Sequence, residues 1–181
     1  MASDDDSGNK KRAAEGDTEQ TSKQQKQDDG TPPEKKSIKG SCHCGFIKYT
    51  FDVTSLPLSA NRCSCTFCQK LGLTGHGLKN LSKDFHLISP DSREDPALGS
   101  YAPNVKTGAK YFCRDCGTHV WQEGYYEWEG QRHDFFPVNV ATVDQPQDGV
   151  DLSETKIRYE DGLHNNWAAG LREKPWPNGL P

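Results

Sequence analysis

The chain has 181 residues, seven cysteines and a formal net charge of −4. Setting aside a polar N-terminal stretch of about 39 residues leaves about 142, the size of one domain, of which only about 53 are apolar. So thin a core usually needs help from a metal or a disulfide, and the seven cysteines are the candidates to supply it. No run approaches the roughly 18 apolar residues of a membrane-crossing helix, and the opening MASDDDSGNKKR offers no apolar signal region. The expected chain is soluble, without a membrane partner, and cytoplasmic, with the nucleus as an alternative.

Residues 1–39 mix Asp, Glu, Lys, Gln, Ser and Gly with almost nothing to bury, a composition that predicts a disordered charged tail ahead of a zinc-binding domain over 40–181. Lys10, Lys11 and Arg12 within it resemble a short nuclear-import signal but read more simply as solvated charge. Both regions carry an excess of acidic over basic residues, 9 against 8 in the tail and 17 against 14 beyond it, so no basic footprint for nucleic acid is present.

From Gly40 onward the hydrophobic period is two. Ile47, Tyr49, Phe51 and Val53 alternate with Lys48, Thr50 and Asp52, predicting a half-buried strand directly after a Cys-His-Cys-Gly turn. Further strands are expected at Phe85 to Ile88, Ala109 to Cys113, His119 to Glu123, Phe136 to Val140 and Lys156 to Tyr159, divided by clusters such as Ser89-Pro90-Asp91 and Gln145-Pro146-Gln147-Asp148-Gly149. Helical periodicity is nearly absent. An antiparallel all-β fold of short sheets is the expectation.

The cysteines fall in three groups: Cys42 and Cys44; Cys63, Cys65 and Cys68; Cys113 and Cys116. In a reducing compartment such clusters are metal ligands or catalytic thiols rather than a disulfide framework. Two two-cysteine knuckles can close one tetrahedral zinc site. Gly45 and Gly117 each follow a knuckle, where a positive φ turns backbone N–H groups toward the thiolates. Cys63, Cys65 and Cys68 are close enough in sequence to converge on one ion by themselves, which leaves Cys42, Cys44, Cys113 and Cys116 as the closed, structural set. A three-cysteine zinc keeps a position for substrate and is the expected catalytic one. Completion of that site by a nearby His or Asp, and a tripod sharing ligands with a knuckle, are the competing partitions.

A three-thiolate zinc suits the binding and exchange of sulfur ligands better than hydrolysis. His76, in a Gly-rich loop beyond Cys68, is the candidate general acid or base, against the plainer reading of a surface histidine. His43 and His119 flank the knuckles. Arg62 and Lys70 bracket the tripod and could steer a carboxylate-bearing thiol. The segment Lys174-Pro175-Trp176-Pro177 reads as an extended terminal stretch that packs across the domain or covers a pocket mouth.

Together, Gly40-Ser41-Cys42-His43-Cys44-Gly45, Cys63-Ser64-Cys65-Thr66-Phe67-Cys68-Gln69-Lys70 and Phe112-Cys113-Arg114-Asp115-Cys116-Gly117-Thr118 resemble, in order, the motifs of the glutathione-dependent formaldehyde-activating enzyme family, which also contains the centromere protein V domain. The resemblance runs over roughly residues 38–140. It implies a β-tent fold with two zinc ions, one structural and one catalytic, and glutathione as a co-substrate. It also implies a carbon–sulfur lyase acting on a small thiol–carbonyl adduct, of glutathione–formaldehyde type or a larger metabolite with the same chemistry. The stretch Leu71-Gly72-Leu73-Thr74-Gly75-His76 departs from the Ser-Gly-Ala common there, and Trp167 and Trp176 lie beyond the resemblance. The alternative is a non-enzymatic, zinc-stapled module that recruits a protein partner. A cysteine-nucleophile enzyme is disfavoured, because no cysteine lies outside the clusters.

Overall fold

The computed structural model describes residues 34–104 and 108–181. Most of the expected tail, including Lys10, Lys11 and Arg12, lies outside the described residues. Its last part does not: β1 (Lys36–Ser41) starts ahead of position 40 and carries Ile38, fully buried, into the core. Only one large apolar residue sits in that strand, so composition assigned it to the tail, whereas pairing with its neighbour places it in a sheet.

β1 pairs antiparallel with β2 (Lys48–Val53), which pairs with β5 (Phe85–Ser89). Ile47, Tyr49, Phe51 and Val53 are all buried, as the alternation predicts. The second sheet has eight strands. Its path runs from β11 (Lys156–Glu160) through β3 (Ser59–Cys63), β4 (Gly75–Gly77), β10 (Pro137–Asn139), β8 (His119–Trp128) and β7 (Gly108–Cys113) to β6 (Leu98–Asn104), while β9 (Gln131–Phe135) hangs on β8 as a hairpin. Among the described residues are also two short α-helices, α1 (Thr66–Lys70) and α2 (Leu81–Asp84), and three 3-10 turns.

Phe85 joins the two sheets. Its ring lies 5.3 Å from Tyr49, 5.2 Å from Trp121 and 4.8 Å from Phe136, so aromatic contacts fill the seam between β2, β5 and β8.

The expectation of an antiparallel fold needs one correction. β11 runs parallel to β3, with Lys156 opposite Ser59 and Glu160 opposite Cys63. Alternation reveals that a segment is a strand but not its direction. Here more than ninety residues separate the partners, enough chain to return in the same sense. β8 also extends past Glu123 to Trp128 to build the hairpin, and β10 is shorter than expected because a 3-10 turn takes over at Val140.

Candidate metal centres

The first knuckle lies in the turn between β1 and β2, the second in the turn between β7 and β8. Each turn closes by the same local bond: Gly45 N–H donates to the Cys42 carbonyl (3.0 Å) and Gly117 N–H to that of Cys113 (2.8 Å). Both glycines have the expected positive φ, 77° and 73°. The fold brings the turns together, so that the sulfurs of Cys42, Cys44, Cys113 and Cys116 lie within 4.8 Å of one another. Cys42 to Cys44 measures 3.5 Å and Cys44 to Cys113 3.6 Å, close to the edge of about 3.8 Å for a tetrahedron with metal–sulfur bonds of about 2.3 Å. The Ile47 N–H donates to Cys42 Sγ at 3.2 Å, and Cys116 Sγ lies 3.2 Å from Thr118 Oγ1. The group lies where the turn after the three-stranded sheet's β1 meets the β7–β8 turn of the eight-stranded sheet, so an ion held there would tie the two sheets together. All seven cysteines are free thiols.

Cys63, Cys65 and Cys68 form the second group, also within 4.8 Å. Cys63 ends β3, Cys65 is the residue that caps α1, and Cys68 lies within that helix. Cys65 N–H donates to Cys63 Sγ and Cys68 N–H to Cys65 Sγ, each at 3.4 Å. Hydrogen bonds from Cys63 and then Cys68 hold Cys65 far below the ordinary thiol range, the contact with Cys65 pushes Cys63 up, and the contacts with Cys63 and then Cys65 push Cys68 up. Three converging thiols could hold a metal ion, which takes them as thiolates and displaces their protons. Among the described residues no fourth His, Cys, Asp or Glu joins it.

Among the described residues, none of His43, His76 and His119 joins either thiol group as a donor. His76 lies in β4, where its Nδ1 donates to the Ser59 carbonyl at 2.7 Å and its ring packs 5.6 Å from Phe51. His119 faces Phe112 at 5.1 Å, and His43 meets Thr118 through its backbone N–H. Burial lowers the His76 pKa below its ordinary 6.5. Between the folded value and 6.5 the unfolded chain binds a proton that the folded ring refuses, so stability falls as pH drops through 6.5. His76→Gln, which keeps a donor for Ser59, should therefore lose less stability than the parent between about pH 7 and about pH 5.5, read from urea midpoints. An unchanged loss would remove His76 from this role.

Of the cations expected to steer a ligand, Arg62 is tied to Thr74, Nε to Oγ1 at 3.0 Å, although it lines a cavity of about 80 Å³ with Cys68, Gln69, Leu73 and Leu180. Lys70 stands in the last turn of α1. Sequence reasoning missed Lys110. Its ammonium lies over the Phe67 ring at 4.8 Å, between Cys65 and Cys68 in sequence; burial lowers its pKa, and the charges of Cys68 and Cys65 pull it up. Lys110 sits 42 residues from Cys68, and no local pattern marks it.

A β fold with four thiols gathered where two sheets meet, and three more at a strand-to-helix junction, defines a protein with two thiol clusters that could each hold a metal ion. The model of the family described as glutathione-dependent formaldehyde-activating enzyme matches residues 37–159, and the chain belongs to that family. A crystal structure of a Rhodobacter sphaeroides protein is similar at 25% identity, covering 61% of this chain and 92% of that one, with a TM-score of 0.47. No curated protein matches the chain significantly. Among the described residues no helix is long and apolar enough to cross a membrane.

Proposed function

We propose that the protein is a zinc-dependent carbon–sulfur lyase acting on a thiol–carbonyl adduct, of the glutathione–formaldehyde type that its family's description names. The observation that carries this reading is that, among the described residues, one thiol group has four donors and the other three with no fourth His, Cys, Asp or Glu. Cys63, Cys65 and Cys68 would hold the catalytic zinc, and Cys42, Cys44, Cys113 and Cys116 the structural one. When bound, the catalytic zinc supplies a fourth position that stabilises a substrate thiolate.

For an adduct R–S–CH2–OH, cleavage breaks the carbon–sulfur bond, leaves the electron pair on sulfur and releases the hydroxyl proton as the carbonyl forms; addition is the reverse. Lys110 contributes positive charge next to Cys65 and Cys68, where negative charge on sulfur develops. Its cover over Phe67, which itself stacks on Tyr101 at 5.5 Å, limits how it can move. The proton-transfer role expected for His76 would fall to Nε2, since Nδ1 is committed to Ser59.

Native mass spectrometry before and after EDTA tests the reading. Two zinc ions per chain are expected, one lost readily while the fold survives. Cys65→Ser should retain one zinc and lose at least about a hundredfold in adduct cleavage. Two equally inert ions would favour the zinc-stapled binding module instead, and turnover that persists in Cys65→Ser would take the reaction away from the three-thiol site.

A further inference from the structure

The family match ends at residue 159, yet the chain beyond it returns to the three-thiol group twice. After Glu160, opposite Cys63 in the parallel ladder, the backbone turns at Gly162. A Cβ there would stand 2.4 Å from Cys63 Sγ, 2.9 Å from Cys65 Cβ and 2.8 Å from Cη2 of Trp167. One glycine hydrogen thus fills the space between the tripod and the indole edge. Asp161, 4% exposed, pins this turn, accepting from His164 Nδ1 at 2.8 Å, from Ser64 Oγ at 3.4 Å and from Asn166 Nδ2 at 3.4 Å. Farther along, Trp176 Nε1 donates to the Tyr159 carbonyl at 3.2 Å, and Leu180, whose N–H donates to Gln69 Oε1, lines the small cavity beside Cys68.

Trp167 is held by this turn but remains 50% exposed. An indole whose edge lies against Gly162 next to the tripod, with half its surface in water, offers an apolar wall to a ligand of that site. On the α1 side stands Lys110, which takes part in none of the ion pairs among the described residues. A one-carbon aldehyde has nothing to lay against an indole.

We infer that Trp167 and Lys110 determine specificity at the three-thiol site, and that its ligand is an anionic thiol adduct carrying a flat apolar group. This rests on the proposed function in one respect, that the site binds a thiol. The flat group covers the indole, and the anion pairs with the ammonium. Residues 160–180 then form a selectivity wall added to the part of the chain that the family model matches.

Cobalt(II)-loaded protein gives a direct readout, because a fourth thiolate on the three-thiol site changes its visible absorption, a signal independent of turnover. The probes are 2-mercaptoethanol and 4-(mercaptomethyl)benzoate. The benzoate thiol should half-saturate at about a tenfold lower concentration, the size expected of one aromatic contact plus one ion pair. Trp167→Ala should remove most of that advantage while leaving the 2-mercaptoethanol titration within about twofold of the parent, and Lys110→Met, which weakens any thiolate, should still weaken the benzoate thiol several-fold more than 2-mercaptoethanol. Trp167→Phe and Lys110→Arg should preserve it, which covers the case in which the harsher variants do not fold. An equal affinity for both probes in the parent, or an undiminished advantage in both harsh variants, overturns the inference alone. No spectral response to either thiol overturns it together with the proposed function.

Discussion

Cys113→Ser should leave the chain without a cooperative unfolding transition, as well as short of a metal ion. Cys113 is fully buried at the end of β7, and its sulfur is 3.6 Å from that of Cys44 across the seam between the sheets. Structural zinc sites contribute on the order of 10 kcal/mol or more to folding in small domains, comparable with the roughly 5–15 kcal/mol total of an ordinary one. With few apolar residues for its length, this chain has little else to replace that contribution. Far-UV circular dichroism during a thermal ramp is the measurement. A cooperative transition within a few degrees of the parent would show that the aromatic seam around Phe85 holds the sheets together unaided.

Gly162→Ala should separate the two thiol groups. The added Cβ meets Cys63 Sγ at 2.4 Å and the Cys65 Cβ at 2.9 Å, contacts that real Cβ atoms do not make. Either the turn after β11 moves away or Cys63 does; overpacking of this kind costs about 1–3 kcal/mol, which a domain with an intact four-thiol clamp survives. The expected result is a folded protein whose zinc count falls from two to one by native mass spectrometry, with adduct cleavage lost in step. Gly77→Ala, where an added Cβ meets nothing within 4 Å, is the matched control. Two retained ions in Gly162→Ala would mean that the turn yields freely and that the segment beyond residue 160 does not set the tripod's shape.

Much of this was legible because the relevant forces are local. Covalent reach alone lets Cys63, Cys65 and Cys68 meet, and a glycine after a two-cysteine turn foretells the positive φ found at Gly45 and Gly117. The alternation from Ile47 to Val53 shows one buried face, since strand side chains alternate whatever the strand pairs with. α1 escaped notice because a five-residue helix has no apolar period to read; its cap is the Cys65 sulfur itself.

By itself, then, the sequence determined a β-rich domain, the grouping of its thiols and the motifs that place it in its family. Only the tertiary structure decided that β11 lies parallel to β3, that Lys110 stands over Phe67, that His76 turns to Ser59 and Phe51, and that Gly162 stands between Trp167 and Cys63. The division follows from distance along the chain. Contacts within a turn are dictated by bond geometry and residue type, whereas contacts between residues tens of positions apart depend on sheet order and strand direction, which no local pattern encodes.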